Sequence, residues 1–412
     1  MNLSIGKVIL ILAAIGFALA ILNFFLVSKF NQTSGSSGNG SKTIFSLFSN
    51  TIMDFSNLDI DSLGEYRIQT NFIKGTAESI RGANDVAMVT HCTPNHLHYL
   101  LNMVEHWQGF ISVAVVVPGL NIITAYKTVI GLHLCNNKIK QRVTFHIVYP
   151  LSHPSLVNKL MTHVKSARKA LPKSCVEFLL GIQSGSAGIT NYANIKIPYP
   201  NNLLRNVARH SVNSDYIFMV DIDMMCNANL YSGFLKFAEQ NHLFGSTKDK
   251  MVFVVPAFES ENDVPVGTQK ETLMTLWDSG KVQPFYFKAC WKCQRPTNYE
   301  QWKRHKSKSN GVEISHTVEW TDPWEPFYIG PKDVPLYDER FNKYGFNRIS
   351  QVCETNIAGY NFAVLDNAFL VHHGLKRNFH KNKEKENDRN RDLFRQFKRE
   401  LKTKYPASNR RC

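Results

Sequence analysis

The sequence predicts an α/β fold in which a mostly parallel sheet is flanked by helices. Three short apolar runs, residues 86–90, 111–117 and 143–149, have the length and composition of buried strands, and proline follows the last two. A helical pattern of leucines and valine fills residues 94–107, between the first two runs. Strands that alternate with helices imply right-handed crossovers, which gather the loops after the strands on one edge of the sheet.

A fourth apolar run, residues 216–220, ends in two carboxylates, Asp221 and Asp223. Ligands of α/β proteins bind just beyond the carboxyl ends of such strands, and residues 90–92 should lie at the same edge. Hard cations such as Mg²⁺ or Mn²⁺ prefer carboxylate oxygen and commonly bridge it to nucleotide phosphates. The pattern favours a nucleotide-sugar or other phosphate-ester enzyme, although paired acids are also typical of solvated turns and helix caps.

Two neighbouring segments could complete this site. A helix at residues 201–210 precedes the strand, and its Arg205 and Arg209 share one face at i, i+4 spacing, where they could pair with the acids or a diphosphate. Within residues 366–374, an apolar run ends in two histidines, His372 and His373. An imidazole from that run could reach the metal, but a histidine at a strand end also serves structural roles.

Residues 8–27 contain no charged side chain. At about 1.5 Å per residue, this stretch spans the roughly 30 Å of membrane hydrocarbon as one helix. It is longer than the apolar part of a cleaved signal peptide, and no small-x-small cleavage pattern follows it. We therefore expect a signal anchor, with residues 1–7 as a short cytosolic tail, residues 28–83 as a stem, and residues 84–412 as the luminal body.

The stem and the C-terminus have biased compositions. Residues 31–41 are rich in Gly, Ser and Asn and contain two N-glycosylation sequons, at Asn31 and Asn39. Residues 376–411 hold fourteen Lys or Arg against five Asp or Glu, an excess of nine within the net charge of +15. No finger or stacking motif accompanies this basic segment, so we exclude nucleic acid as a partner. Apolar residues at helical spacing predict a surface helix over residues 391–404.

The eight cysteines allow several disulfides, but their pairing stays open. Cys290 and Cys293 resemble half of a zinc site; because no matching second pair follows, a local disulfide or two buried thiols is the favoured interpretation. Residues 290–302 and 319–328 mix aromatic rings with acids and amides. This mixture suits either carbohydrate recognition or a rigid aromatic core.

Seven segments spread over about residues 84 to 378 carry a resemblance to a known family. In chain order they are HCTPNHLHYL, YPNNLLRNVAR, FMVDIDM, CQRPTNYEQW, WTDPWEPFYIG, VPLYDERFNKYGFNRISQVCE and FLVHHGLK. They resemble the beta-1,4-glucuronyltransferase of matriglycan synthesis and the glucuronyltransferase domain of LARGE. The resemblance implies a GT-A type glycosyltransferase fold, a type II Golgi membrane protein, Mn²⁺, UDP-glucuronate as donor, and inverting transfer to a xylose-like glycan acceptor on a glycoprotein.

The same resemblance assigns roles to individual residues. Asp221 and Asp223 would hold the metal and the diphosphate, and His372 would be the third protein ligand, with His373 as the alternative. Three further residues would line the nucleotide or the uronate: Thr90, Asn202 and Arg205.

Inversion requires a carboxylate that takes the proton of the attacking hydroxyl. Glu325 is the first choice because its aromatic segment is expected over the acceptor. Three carboxylates remain alternatives: Asp322, Asp338 and Glu354. Arg205 or Arg348 would meet the donor carboxylate with a planar guanidinium. Two other functions stay open: transfer from another UDP-sugar, and an inactive membrane-tethered glycan-binding protein of the same fold.

Overall fold

The computed structural model describes residues 58–77, 82–117, 122–152, 160–171, 174–183, 198–245, 250–262, 264–265, 269–307, 311–376 and 382–412. All of them belong to one compact unit. The predicted anchor, its cytosolic tail, the two sequons and most of the stem lie outside these residues. Of the helices in the described ranges, none is long and apolar enough to cross a membrane.

In the first half of the described chain most strands are followed by helices, whereas several strands of the second half follow one another without a helix between them. The strands are β1 (Leu58–Ile60), β2 (Tyr66–Ile73), β3 (Val86–Cys92), β4 (Ile111–Val116), β5 (Val143–Pro150), β6 (Tyr216–Met219), β7 (Met224–Cys226), β8 (Met251–Val255), β9 (Ala257–Ser260), β10 (Val282–Pro284), β11 (Glu313–Val318), β12 (Phe327–Pro331), β13 (Asn361–Asp366) and β14 (Leu370–His373). The α-helices are α1 (Tyr99–His106), α2 (Ile122–Cys135), α3 (Asn137–Arg142), α4 (Leu160–Lys169), α5 (Cys175–Gln183), α6 (Asn201–His210), α7 (Leu230–Gln240), α8 (Lys270–Asp278), α9 (Trp291–Gln294), α10 (Tyr299–Arg304), α11 (Asn347–Ile357) and α12 (Asn382–Lys404).

Several predicted elements are confirmed. Helix α6 has the predicted bounds, and the strands β3, β4, β5 and β6 differ from their predictions by one or two residues. The predicted helix at residues 94–107 is a short 3₁₀ turn, Pro94–His96, followed by α1. The C-terminal helix α12 begins nine residues before the predicted start. Local periodicity located these elements because each one buries an apolar face.

The prediction of a mostly parallel sheet is wrong. The main sheet of the described residues has the order β1-β2-β5-β4-β3-β6-β12-β8-β13-β11. Four of its nine pairings are parallel and five are antiparallel. Only β5-β4-β3-β6 form the continuous parallel block that the N-terminal alternation predicted. Strand β12 is inserted antiparallel between β6 and β8, a long-range pairing that local sequence does not encode.

Both faces of the sheet are covered, so every residue of the central strands β3, β4 and β5 is buried. In β3, Val86 and Met88 belong to one buried cluster, whereas Ala87 and Val89 belong to the other. The second cluster also takes in Phe394 of the C-terminal helix α12. Alternate residues of a strand point to opposite faces, so this division is expected for a strand buried on both sides.

A second, four-stranded sheet of order β10-β9-β14-β7 stands beside the end of β6. Strand β7 begins directly after Asp223, and β14 pairs with it antiparallel so that His372 lies opposite Met224. This register brings His372 next to Asp223, 149 residues earlier in the chain. The short β7–β14 ladder therefore assembles the candidate site.

Three disulfides join the described cysteines: Cys135–Cys175, Cys290–Cys293 and Cys353–Cys412. Of the two favoured interpretations of Cys290 and Cys293, a local disulfide or two buried thiols, the structure has the disulfide. The remaining cysteines, Cys92 and Cys226, are buried thiols.

Candidate active site

Asp221 lies in the turn between β6 and β7, between two buried arginines. Arg348 donates from Nη2 to Oδ1 of Asp221 at 2.8 Å, and Nη2 of Arg205 lies 3.5 Å from the same oxygen. Burial opposes ionisation of Asp221, but Arg348 and then Arg205 outweigh it and hold the pKa of that carboxyl well below its usual range. Asp221 is therefore a fixed anion that positions both guanidinium groups.

Asp223, two residues later in the same turn, contacts His372. Nε2 of His372 lies 3.1 Å from Oδ2 of Asp223, and Nζ of Lys376 lies 3.7 Å from the same oxygen. Burial raises the pKa of Asp223, and the bond and charge of His372, followed by Lys376, lower it below the ordinary value. His373, the alternative ligand, instead directs Nδ1 toward Oγ of Ser260 at 3.1 Å.

The ring orientation of His372 suits a metal ligand. Its Nδ1 lies 2.7 Å from the carbonyl oxygen of Gly374, which can only accept, so Nδ1 carries a proton. A protonated ring donates from Nε2 to Oδ2 of Asp223, whereas a neutral ring has its lone pair on Nε2, where a cation shared with Asp223 could bind. Metal-bound histidines commonly donate their other N–H to a carbonyl in this way. Two ligands about 2.1 Å from a cation and at right angles lie about 3.0 Å apart, close to the observed separation.

Asp221 does not close a three-ligand cluster with this pair. In the described part of the chain, one group of three His, Cys, Asp or Glu side chains has all its ligand atoms within 4.8 Å, and it comprises His305, Glu313 and Asp366. Nζ of buried Lys270 lies 2.5 Å from Oδ1 of Asp366, so an ammonium already balances that cluster. We interpret it as structural. At the candidate site, the arginines hold Oδ1 of Asp221, which leaves Oδ2 as the oxygen that could bind a cation.

Arg205 is fixed by amides on two helices. Its Nη1 donates to Oδ1 of Asn202 at 2.9 Å and to Oδ1 of Asn347 at 2.8 Å. The amide nitrogen of Asn202 donates in turn to the carbonyls of Asp338 and Asn347. Asn202 is fully buried and positions Arg205, so its predicted contact with the donor stays a prediction. The Nε of Arg205 is buried without a hydrogen-bond partner.

Arg209, on the same face of α6, does not reach the site. It donates to the backbone carbonyls of Lys332, Val334 and Pro335. A guanidinium with five donors can hold several carbonyls at once, so this arginine fixes the segment after β12.

Glu325 approaches the site from the loop before β12. Its backbone N–H donates to the carbonyl of Cys293, and its carbonyl accepts from Nε2 of Gln294. Burial raises the pKa of Glu325 to about 7; Arg348 opposes this rise and Asp221 adds to it. Arg348 therefore interacts with the carboxylates of both Asp221 and Glu325. Its guanidinium also lies 3.9 Å from the ring centre of Phe327. A carboxyl with a pKa near neutrality has the property required of a general base.

The other predicted carboxylates lie in different surroundings. Asp322 is exposed. The carboxylate of Asp338 accepts from the guanidinium of Arg340. Glu354 is buried at the far end of α11, where it accepts from Lys404 and Tyr405. Glu325 interacts electrostatically with Arg348 and Asp221, and its role as base stays a prediction.

Thr90 and His91 close the site at the end of β3. The backbone N–H of Val220 donates to the carbonyl of Val89, which places these two residues beside Asp221. Oγ1 of Thr90 and Nε2 of His91 are buried without a hydrogen-bond partner. Burial, followed by the charge of Arg205, lowers the pKa of His91 to about 3 and keeps its ring neutral. Buried polar atoms seldom remain unpaired, so this corner is suited to a polar ligand.

Three residues of the site escaped sequence reasoning. Lys376 is the first residue of the basic C-terminal segment, and its position four residues after His372 is the sequence signal that could have identified it. Tyr286 and Tyr344 interact with Glu325, and Tyr344 also forms a side-chain hydrogen bond with Tyr286. No local pattern distinguishes these two tyrosines from core residues.

The loop that presents Tyr344 is held by the C-terminal helix. Lys343, Gly345 and Phe346 have positive φ values of 61°, 88° and 58°. The side-chain nitrogen of buried Asn390 lies 2.9 Å from each of the carbonyls of Asn342, Tyr344 and Gly345. Strained backbone of this kind persists only where its surroundings fix it. Helix α12 is therefore a support for the site.

Replacing Asn390 with alanine is expected to lower kcat about tenfold and the free energy of unfolding by about 1–3 kcal/mol, because buried carbonyls lose their donor. Enzyme kinetics and denaturant unfolding check this. Arg395→Ala, on the exposed side of the same helix, is the control and should match the parent. An Asn390→Ala variant with normal kcat would show that the loop keeps its geometry without this amide.

Comparison with known proteins shows which family the chain resembles. The family described as "Glycosyl-transferase for dystroglycan" matches residues 85–406. The Beta-1,4-glucuronyltransferase 1 of Danio rerio is 41% identical over 363 residues, which cover 85% of this chain and 83% of the relative. The Homo sapiens protein of the same name is 38% identical over 358 residues, covering 86% and 83%.

More distant similarities extend beyond these relatives. The Xylosyl- and glucuronyltransferase LARGE1 of Homo sapiens is 26% identical over 308 residues, which cover 74% of this chain and 33% of that protein. The solved structure of S. aureus TarS 1-349 in complex with UDP-GlcNAc has a TM-score of 0.37 and 10% identity, with 79% of this chain and 68% of that chain covered. This structural similarity is too low to indicate a function. The family match over most of the sequence establishes that the chain is a glycosyltransferase of the family described as Glycosyl-transferase for dystroglycan.

Proposed function

We propose that this glycosyltransferase has a GT-A type fold and transfers glucuronate from UDP-glucuronate, with inversion and in beta linkage, to a xylose-like glycan on a glycoprotein. The observation that carries the proposal is the position of Arg348, which interacts with both Asp221 and Glu325. Arg348 thus interacts with Asp221, which is expected on the donor side, and with Glu325, which is expected on the acceptor side. The names of the relatives that align over most of their length support the donor and the linkage.

The two arginines are suited to an anionic donor. Arg205 and Arg348 are less than one tenth exposed, and Asp221 pairs with both. Two guanidinium groups against the carboxylate of Asp221 leave an excess of one positive charge at this corner, whereas Lys376 is balanced by Asp223. A planar guanidinium can bind a carboxylate through two parallel hydrogen bonds. We assign the recognition of the uronate carboxylate to Arg348 or Arg205, and donor lining to Thr90.

We propose that Asp223 and His372 hold a divalent cation, Mn²⁺ by resemblance, with Oδ2 of Asp221 as a further ligand. The observed His372 orientation and its separation from Asp223 fit this assignment. When bound, such a cation would act as a Lewis acid that neutralises negative charge on the departing diphosphate.

Glu325 is assigned as the general base for the acceptor hydroxyl. The acceptor oxygen forms its bond to the anomeric carbon as the bond from that carbon to the diphosphate oxygen breaks. Glu325 takes the hydroxyl proton, and UDP leaves with the electron pair. Attack opposite to the leaving group inverts the configuration. Arg348 limits the rise in the pKa of Glu325, so the carboxylate form is available near neutral pH.

The decisive experiment is transfer by the purified luminal body from a panel of UDP-sugars, with a β-xyloside acceptor. We expect UDP-glucuronate to be the preferred donor, chelation with EDTA to abolish transfer, and Mn²⁺ to restore it. Preference for UDP-N-acetylglucosamine or UDP-xylose would favour the second candidate function, transfer of another sugar. Transfer that is indifferent to EDTA would contradict the metal assignment.

We also propose a type II Golgi membrane protein anchored by residues 8–27, on the evidence of its twenty uncharged residues and of the sequons that follow. A luminal body would meet secretory glycoproteins as acceptors. Loss of apparent mass on endoglycosidase treatment, abolished by Asn31→Gln with Asn39→Gln, checks this placement. A cell-expressed protein with no such glycan and no membrane association would contradict it.

A further inference from the structure

The loop between β10 and α9 runs outward from the candidate active site. The ring centre of Phe285 lies 6.0 Å from that of His372, and Tyr286 interacts with Glu325. The next residue, Phe287, is 47% exposed. No other Phe, Tyr or Trp in the described ranges falls in the exposed class. Three successive residues of this loop thus have different surroundings: Phe285 lies near His372, Tyr286 interacts with Glu325, and Phe287 is exposed to solvent.

The conformation of this loop is fixed. Tyr286 has a φ of 59°, and the N–H of Cys290 donates to the carbonyl of Tyr286 at 2.8 Å. The N–H of Phe287 donates to the carbonyl of Pro284 at 3.1 Å. The Cys290–Cys293 disulfide closes the following turn. The exposed ring is therefore presented by a closed, hydrogen-bonded turn.

Trp291 extends the apolar surface of Phe287. The two ring centres lie 5.2 Å apart at an interplanar angle of 65°, and Trp291 is itself partly exposed. On its other side Trp291 packs against buried Tyr299, with ring centres 5.9 Å apart. Aromatic rings of this kind bind the C–H faces of sugars, because they are large and rigid and lose little entropy on binding.

We propose that Phe287 and Trp291 form an acceptor subsite that binds the second sugar of the acceptor glycan, counted from the sugar whose hydroxyl attacks the donor. This inference rests on the proposed function, since it takes Glu325 as the base. Tyr286 interacts electrostatically with Glu325, and the Cα of Phe287 lies about 3.8 Å farther along the chain. A glycan whose terminal hydroxyl reaches Glu325 therefore continues over these rings. The acceptor is an oligosaccharide rather than a single sugar.

The test compares a methyl β-xyloside with an oligosaccharide that ends in the same xylose. In the parent protein, we expect a lower KM for the longer acceptor. Phe287→Ala and Trp291→Ala should raise that KM about tenfold, and leave its kcat, the KM for the donor and the kinetics with the xyloside unchanged. Phe287→Tyr should restore the low KM. Leu180→Ala, at a similarly exposed apolar residue on α5, should have no effect.

Equal changes with both acceptors, or none with the longer one, would overturn the subsite. Direct titration of the longer glycan into the parent and Phe287→Ala proteins separates this inference from the proposed function. If UDP-glucuronate is not a donor, the proposed function fails, yet a tenfold loss of glycan affinity in Phe287→Ala would still support the subsite. Equal affinities of the two proteins would refute it.

Discussion

Replacing Asp223 with asparagine is expected to lower kcat/KM about 10³-fold, a loss of about 4 kcal/mol in transition-state stabilisation. Asparagine has the same shape but no charge, so it neither balances a cation nor attracts Lys376. Its amide nitrogen would also present protons to Nε2 of His372. The side chain of Asp223 is 31% exposed, so folding should change little. Transfer assays across a Mn²⁺ titration, with thermal unfolding in parallel, measure both effects.

Asp392→Asn provides a matched control. Asp392 is 74% exposed on α12, pairs with Arg395 and lies outside the site. It should leave kcat/KM unchanged. His372→Ala should reproduce the loss seen in Asp223→Asn, and the double variant should be no worse than either single variant, since both remove one metal site. Full activity and an unaltered Mn²⁺ requirement in Asp223→Asn would rule out this carboxylate as a ligand.

Replacing Glu325 with glutamine is expected to lower kcat about 10²- to 10⁴-fold, the range usual for loss of a general base, with little change in the KM for the donor. The pH dependence provides a second readout. Burial raises the pKa of Glu325 to about 7, so below that pH the carboxyl is protonated and cannot accept a proton. In the parent, kcat should rise with pH through about 7 and then level off. This limb should vanish in Glu325→Gln.

The contribution of Glu325 to the stability of the folded protein should fall as the pH rises, whereas kcat rises. A folded-state pKa above the ordinary value of 4.5 means that Glu325 contributes stability at low pH and loses it as the pH rises through about 7. Glu325→Gln should therefore unfold at the same or a higher temperature than the parent at pH 8. Inactivity with lowered thermal stability at pH 8 would point to a misfolded loop instead of a missing base.

Substitutions of two acids near Glu325 test whether Glu325 is the base. Glu319 and Asp322 are exposed acids of the same segment. Glu319→Gln and Asp322→Asn should retain the parental kcat and its pH limb. If Asp322→Asn loses activity while Glu325→Gln keeps it, Asp322 is the base and the assignment of Glu325 is wrong.

The sequence alone located features that depend on near neighbours. The turn with Asp221 and Asp223, the bounds of α6 and the apolar stripe of α12 follow from strand and helix periodicity. The preference for a disulfide or two buried thiols over zinc at Cys290 and Cys293 depended on ligand count. Each of these depends on residues a few positions apart, whose geometry the backbone fixes.

Only the tertiary structure decided how distant segments meet. The sheet is mixed rather than mostly parallel. The β7–β14 register places His372 rather than His373 against Asp223. The surroundings of Glu325 differ from those of three other acids. The tertiary structure also showed that Asn202 and Arg209 hold backbone carbonyls, and that Asn390 holds a strained loop. These contacts join residues more than forty positions apart. Such pairings are selected by the packing of the whole core, and no local pattern records that selection.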